Sequence, residues 1–258
     1  MPWIDVEGAA NMRDLGGTPT EDGGRIAPHR LLRSDNLQDL TEQDVSLLVN
    51  GLKVTTIVDL RTAGEVEREG PGPLDGTGTV RHTYHPVLPK LASAGDEVAR
   101  ALLTEKLARD TERYPDDVTT GHYLGYLEDR PEEVVGALRD IATSEGATIV
   151  NCAAGKDRTG VITALALTAA GVGPEAVVAD YAASGERIGA VMARLTGSQT
   201  YAEDAKSKPL TAHTPRAETM KAFLEQLEVR YGGLPAWLKD NGFPEQEQAR
   251  LRAALRES

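Results

Sequence analysis

The sequence predicts an α/β fold built on a mainly parallel sheet with helices on both faces. Short runs rich in β-branched residues, "VTTIVDL" (54–60) and "ATIV" (147–150), alternate with longer stretches of helical periodicity. Three of those stretches begin at a proline, Pro131 at the favoured first helical position and then Pro174 and Pro215. With 258 residues, 40% hydrophobic and 26% charged, the chain is ordinary in composition and long enough to bury a sizeable core.

Taken in order, "GGRIAPHRLLRS" (23–34) reads as an early hairpin strand behind turn signals at Gly16, Gly17, Gly23 and Gly24. Thr41 with Asp44 opens a helix in capping-box style, which runs through Leu47 and Leu48 to a stop at Gly51. Residues 54–60 form a buried strand, 67–79 ("EREGPGPLDGTGT") a loop and 80–87 ("VRHTYHPV") a weaker strand. Between 93 and 129 the pattern is helical, but its apolar stripes are thin, which suits a cover over a site better than a central core. The helix from Pro131 puts Val134, Leu138 and Ile141 on one face and stops at Gly146. After the strand at 147–150 comes an almost wholly apolar helix, Thr159 to Ala170. The helix from Pro215 carries Met220, Phe223, Leu224, Leu227 and Tyr231 at helical spacing, a core stripe that ends at Gly232.

The chain's one cysteine, Cys152, lies in "NCAAGKDRTG" (151–160), where that strand turns straight into a helix. In open parallel sheets the C-terminal strand edge is where ligands bind. A helix start adds unpaired N–H groups and the positive end of the helix dipole. Ala153, Ala154 and Gly155 leave a ligand unobstructed, and Gly155 permits a tight turn, so the loop's N–H groups can converge on an anion. Arg158 offers a planar fork for two phosphate oxygens. The same field favours a thiolate, the nucleophilic form of cysteine. A thiolate beneath a phosphate cradle points to attack on phosphorus and a phosphocysteine that water hydrolyses. Thr159 is placed to donate its hydroxyl to the departing sulfur.

Other chemistries fit less well. Val150 and Asp157 break the GxxxxGK[ST] nucleotide loop, and "AASGER" (182–187) lacks the glycines of a nucleophile elbow. His82 and His85, three apart on a strand, face opposite ways and make a poor metal pair. A lone cysteine forms no internal disulfide, and the start carries no signal-peptide pattern, so a reducing cytoplasm is the expected location. A net charge of −12 argues against a nucleic-acid partner and against stable association with anionic lipid. No metal or organic cofactor is expected, because the loop itself supplies positive charge. The sequence sets no oligomeric state.

At "NCAAGKDRTG" the chain resembles the Cys-x5-Arg phosphatases, and most closely the bacterial atypical tyrosine phosphatases with dual protein and phosphoinositide specificity. "NMRDLGG" (11–17), "LLRSDNLQDLT" (31–41), "IVDLRTAGEVE" (57–67) and the C-terminal tail from 231 are similar to further segments of that family. The resemblance implies a single domain over 1–258 with a four- or five-stranded sheet and a helical lid, the latter at 93–129. It makes Cys152 the nucleophile and Arg158 the phosphate clamp. Lys156 and Asp157 supply the remaining loop side chains, and Gly160 closes the motif. At Asn151 the family normally has a His that orders the loop, and Asn carries no charge there.

An alkyl leaving group needs a proton from a nearby carboxylic acid. Asp157, inside the loop, is the first candidate and Asp59, ending the strand at 54–60, the second, unless Asp59 is instead a structural partner of Arg61 or Arg158. Arg61 stands at the same edge, either to bind substrate anions or to pair with Glu65. The expected substrate is phosphotyrosine, with phosphoserine, phosphothreonine or phosphoinositides beside it. The alternatives are a small phosphorylated metabolite such as a nucleotide, an inactive phosphate-binding module, and sulfur transfer of the rhodanese type.

Overall fold

In the computed structural model, which describes residues 2–88, 96–207 and 209–257, five strands form one sheet. They are β1 (Arg13–Asp14), β2 (Leu31–Ser34), β3 (Val54–Asp59), β4 (Arg81–Tyr84) and β5 (Ala147–Asn151), in the spatial order β1-β2-β5-β3-β4. All pairings are parallel except that of β1 with β2. The short N-terminal strand is therefore the antiparallel edge, and β5, carrying the cysteine loop, is central.

Side chains alternate across the strands and so divide the core in two. Leu32, Ile57 and Ile149 point into one layer, with Leu37, Leu40, Leu48 and Leu74. Leu31, Val58 and Val150 point into the other, which is larger and takes most of the long helices. The helices among the described residues are α1 (Glu42–Ser46), α2 (Ala63–Glu69), α3 (Asp96–Arg113), α4 (Val118–Asp129), α5 (Pro131–Thr143), α6 (Asp157–Ala169), α7 (Pro174–Ala183), α8 (Ile188–Leu195), α9 (Ala202–Ser207), α10 (Leu210–His213), α11 (Ala217–Tyr231), α12 (Leu234–Asp240) and α13 (Glu245–Leu255). The second layer is filled by α4, α5, α6, α7, α11, α12 and α13. Leu138 and Leu165 are wholly buried there, and truncating such a leucine costs about 2–5 kcal/mol.

Most predicted elements are present, with informative differences. The Thr41 capping box is formed, and α1 continues as a π-helical turn over Leu47–Gly51. The stretch 67–79 is not all loop. Its first three residues finish α2, whose own capping box joins Thr62 and Glu65. The expected cover at 93–129 divides. Residues 93–95 lie outside the described residues, α3 packs on α4, and α4 sits in the main core with Tyr123, Leu124, Tyr126 and Leu127 all buried. The roof of the cysteine loop comes from later in the chain, where Ile188, Met192 and Leu195 of α8 and Ala205 of α9 cluster on Ala153.

Candidate active site

β5 ends at Asn151, Cys152 follows at 2% exposure, and α6 starts at Asp157, so the intervening loop is only a few residues long. Gly155 makes that loop fit. Its φ is +63°, and a Cβ there would stand 2.4 Å from the carbonyl oxygen of Ser34. The ends of the two flanking strands close around it. Asn36 N–H donates to Ala153 O at 3.0 Å, and Leu60 N–H to Asn151 O at 2.9 Å.

Above the loop is a pocket of about 260 Å³, floored by Cys152, Ala153 and Ala154 and walled by Lys156, Asp157 and Arg158. Glu65, Tyr201 and His213 join the wall, and Ile188, Met192 and Leu195 form an apolar side. Loop backbone, two cations and a buried thiol thus meet at one point. Among the described residues, no N–H of Ala153, Ala154, Gly155 or Lys156 donates to a protein acceptor. Those groups and the first turn of α6 are free to bind an anion.

Arg158 is fixed by Glu65 through hydrogen bonds of 2.8 Å from each terminal nitrogen, with Leu60 O a further acceptor at 3.3 Å. Burial works against both charges, but their mutual attraction wins. Arg158 is held firmly cationic, and Glu65 is lowered to about 2 by Arg158 and the Thr62 cap. Lys156 donates to His213 O at 2.9 Å and stands 3.4 Å from Asp157 Oδ2. Asp157 accepts a hydrogen bond from Tyr123 Oη, which meets Tyr181 Oη at 2.7 Å. Burial raises the Asp157 carboxyl, yet the Lys156 charge and the Tyr123 bond outweigh it, leaving Asp157 below the usual carboxylate range.

The predicted site residues separate into two groups. Cys152, Ala153, Ala154, Lys156, Asp157 and Arg158 all line the pocket. Gly155 shapes it from behind, and Gly160 lets α6 approach the ring of Tyr181, where a Cβ would lie 2.9 Å away. Thr159 is fully buried, and its hydroxyl has no hydrogen-bond partner among the described residues, the sulfur included. Asp59 and Arg61 reach the same sheet edge but not the pocket. Each is almost wholly buried, and the Arg61 guanidinium covers both Asp59 oxygens, from Nε at 2.9 and 3.0 Å and from Nη2 at 2.6 Å. His82 Nε2 adds a contact at 3.3 Å. Arg61 therefore pairs with Asp59, and Glu65 with Arg158.

His82 and His85 part as expected, His82 toward Asp59 and His85 toward Glu133 and Asp140. Among the described residues, no group of three or more His, Cys, Asp or Glu is set to hold a metal. Nor is any described helix long and apolar enough to cross a membrane.

A thiol between a strand end and a helix start, under an arginine and an anion-binding loop, is matched across almost the whole sequence: residues 4–257 fit the model of the tyrosine phosphatase family. The chain belongs to that family. Over 97% of its length it is 29% identical to the triple specificity protein phosphatase PtpB of Mycobacterium tuberculosis, covering 98% of that protein. A tyrosine-protein phosphatase of Nostoc commune is 29% identical over 89% of this chain and 75% of its own. This tyrosine phosphatase is accordingly a cysteine-dependent phosphomonoester hydrolase.

Two residues that hold charged side chains of the pocket have no such role in the sequence reading. Glu65 positions Arg158, and the signal for it was the Thr62–Glu65 capping spacing. Tyr123 carries a hydroxyl to Asp157 from the core helix α4. Nothing in its local sequence gives that contact, because the two residues are 34 apart.

Proposed function

We propose that the enzyme hydrolyses aryl phosphates of the phosphotyrosine type, with Cys152 as nucleophile, Arg158 as clamp and Asp157 as general acid. The observation that carries this reading is the meeting of all three side chains in one pocket whose other wall, Ile188, Met192 and Leu195, is apolar. That wall suits a flat ring, while the loop N–H groups and Arg158 take the phosphoryl oxygens.

In the first step the Cys152 thiolate forms a bond to phosphorus as the bond to the ester oxygen breaks, and Asp157 gives that oxygen its proton. In the second, water attacks the phosphocysteine, Asp157 takes a proton from the water, and sulfur leaves as thiolate. Asp157 starts below the usual carboxylate range. A bound phosphate dianion beside it raises its proton affinity, so substrate binding itself arms the acid. Asp59, sealed by Arg61, serves structure in this scheme.

Activity on phosphoserine or phosphothreonine peptides, on phosphoinositides, or on a small phosphorylated metabolite remains within the same chemistry. The small pocket favours compact esters among them. The unpaired thiol accords with a reducing, cytoplasmic setting. The test is phosphate release by wild type and Cys152→Ser, with chelator present, on p-nitrophenyl phosphate, a phosphotyrosine peptide, phosphoinositides and nucleotides. The expected result is turnover by wild type alone, fastest on the aryl esters. Turnover by Cys152→Ser would overturn the thiolate mechanism, and a preference for nucleotides would replace the substrate class.

A further inference from the structure

We propose that Asn11 and Arg33 are positioning residues of the phosphate loop, holding its carbonyls back so that its N–H groups face the substrate. The proposal rests on the reading of residues 152–158 as the phosphate-binding loop. It gives a role to the segments "NMRD" and "LLRSDN", which contribute no side chain to the pocket.

Asn11 is 1% exposed, and its amide orientation is fixed by its neighbour Arg13, whose Nη1 donates to Asn11 Oδ1 at 2.7 Å. The NH₂ group must then face the loop, where it donates to Ala154 O and to Gly155 O at 3.0 Å each. Two hydrogens thus meet two carbonyls. Arg33 Nη2 reaches Gly155 O at 2.7 Å and Lys156 O at 3.4 Å. With Asn36 N–H on Ala153 O and Gly160 N–H on Lys156 O at 2.8 Å, each of four successive carbonyls is engaged by a donor. In a trans peptide the C=O of one residue and the N–H of the next point opposite ways. Holding those carbonyls back therefore turns the N–H groups of residues 154–157 toward the pocket.

The scaffold beneath is buried and charged. Arg13 and Arg33 are both 0% exposed and share one carboxylate, Asp180. Asp35 steadies the other side of Asn11, accepting from the Ala10 and Asn11 N–H groups at 3.0 Å. Asn151 does not share this work, since neither its Oδ1 nor its Nδ2 has a partner among the described residues. The loop is ordered from below, through Asn11 and Arg33, and not from residue 151.

Asn11→Asp tests this with little change of shape, because it sets carboxylate oxygens against the two carbonyls. Loop N–H groups act mainly on the transition state, so kcat on p-nitrophenyl phosphate should fall about 10- to 100-fold, with KM moving less. Arg33→Lys keeps the charge for Asp180 and should lose about 3- to 10-fold. Tungstate binding measured calorimetrically in the Cys152→Ser background should weaken in the same order. That readout is independent of catalysis, so it separates a failed loop role from a failed thiolate mechanism. Leu251→Ala, a remote core truncation with a similar fall in Tm, should leave kcat unchanged. Full kcat and tungstate affinity in folded Asn11→Asp would overturn the proposal, as would an equal kcat loss in Leu251→Ala. If Asn11→Asp does not fold, unchanged tungstate affinity in Arg33→Lys decides against it.

Discussion

Glu65 binds Arg158 with both carboxylate oxygens, while one of those oxygens also accepts the Thr62 N–H at 2.7 Å that caps α2. One side chain thus starts a helix and orients Arg158, the phosphate clamp of the proposed mechanism. Glu65→Gln keeps the shape but loses the charge, freeing the guanidinium to rotate. The expected result is a fall in kcat/KM of about 10-fold or more, read by steady-state kinetics on p-nitrophenyl phosphate. An unchanged value would mean that Arg158 orders itself on the substrate.

The same pair makes stability depend on pH. Glu65 drops from 4.5 to about 2 in the folded chain, which corresponds to roughly 3 kcal/mol. A depressed folded value contributes stability that is whole above the unfolded value and lost as pH falls through the folded one. Urea unfolding of wild type and Glu65→Gln should therefore show a gap at pH 7 that narrows steadily below about pH 4.5. A gap independent of pH would assign the difference to shape alone.

Asp157→Asn should separate substrates by leaving group. A phosphoserine peptide, whose alkoxide needs the proton, should slow by about 100-fold or more, and p-nitrophenyl phosphate by less than about 10-fold. Equal losses on both would remove Asp157 from the role of acid.

Lys156 and Tyr123 both hold Asp157 down, the first by charge and the second by a hydrogen bond. Removing either stabiliser of the carboxylate raises the pH at which the proton is lost. Lys156→Met and Tyr123→Phe should each move the alkaline limb of the kcat profile on an alkyl phosphate upward. A shift downward, or none, would show that another group sets that limb.

Asp59 lies against Arg61 with neither side chain exposed, so removing one charge strands the other. Asp59→Asn is expected to cost about 3–5 kcal/mol in chemical denaturation while KM of the folded enzyme stays within about twofold. A large kcat loss at full stability would return Asp59 to the chemistry.

How much was legible in the sequence follows from which interactions are local. The β5–α6 loop was readable because strand, cysteine, glycine, arginine and helix succeed one another without a gap. β3 was readable from its β-branched run, and α5 from Pro131 and its single apolar face. What the helices at 93–129 cover stays open in the sequence, because a thin apolar stripe says that a helix packs but not what it packs on. The partners of charged residues stay open in the sequence for the same reason. The sequence leaves Arg61 with either Asp59 or Glu65; the fold pairs it with Asp59, and Glu65 turns to Arg158, 93 positions away. Asn11 and Ala154 are 143 apart, and only the sheet order brings them together.

The single sulfhydryl of the molecule, the nucleophile of the proposed mechanism, is 2% exposed and lines the pocket. Any thiol-directed label must therefore land in that pocket or nowhere. One mass increment per chain would count competent sites directly, and its suppression by inorganic phosphate would report occupancy. The enzyme carries its own active-site titrant handle, with no background cysteine to subtract.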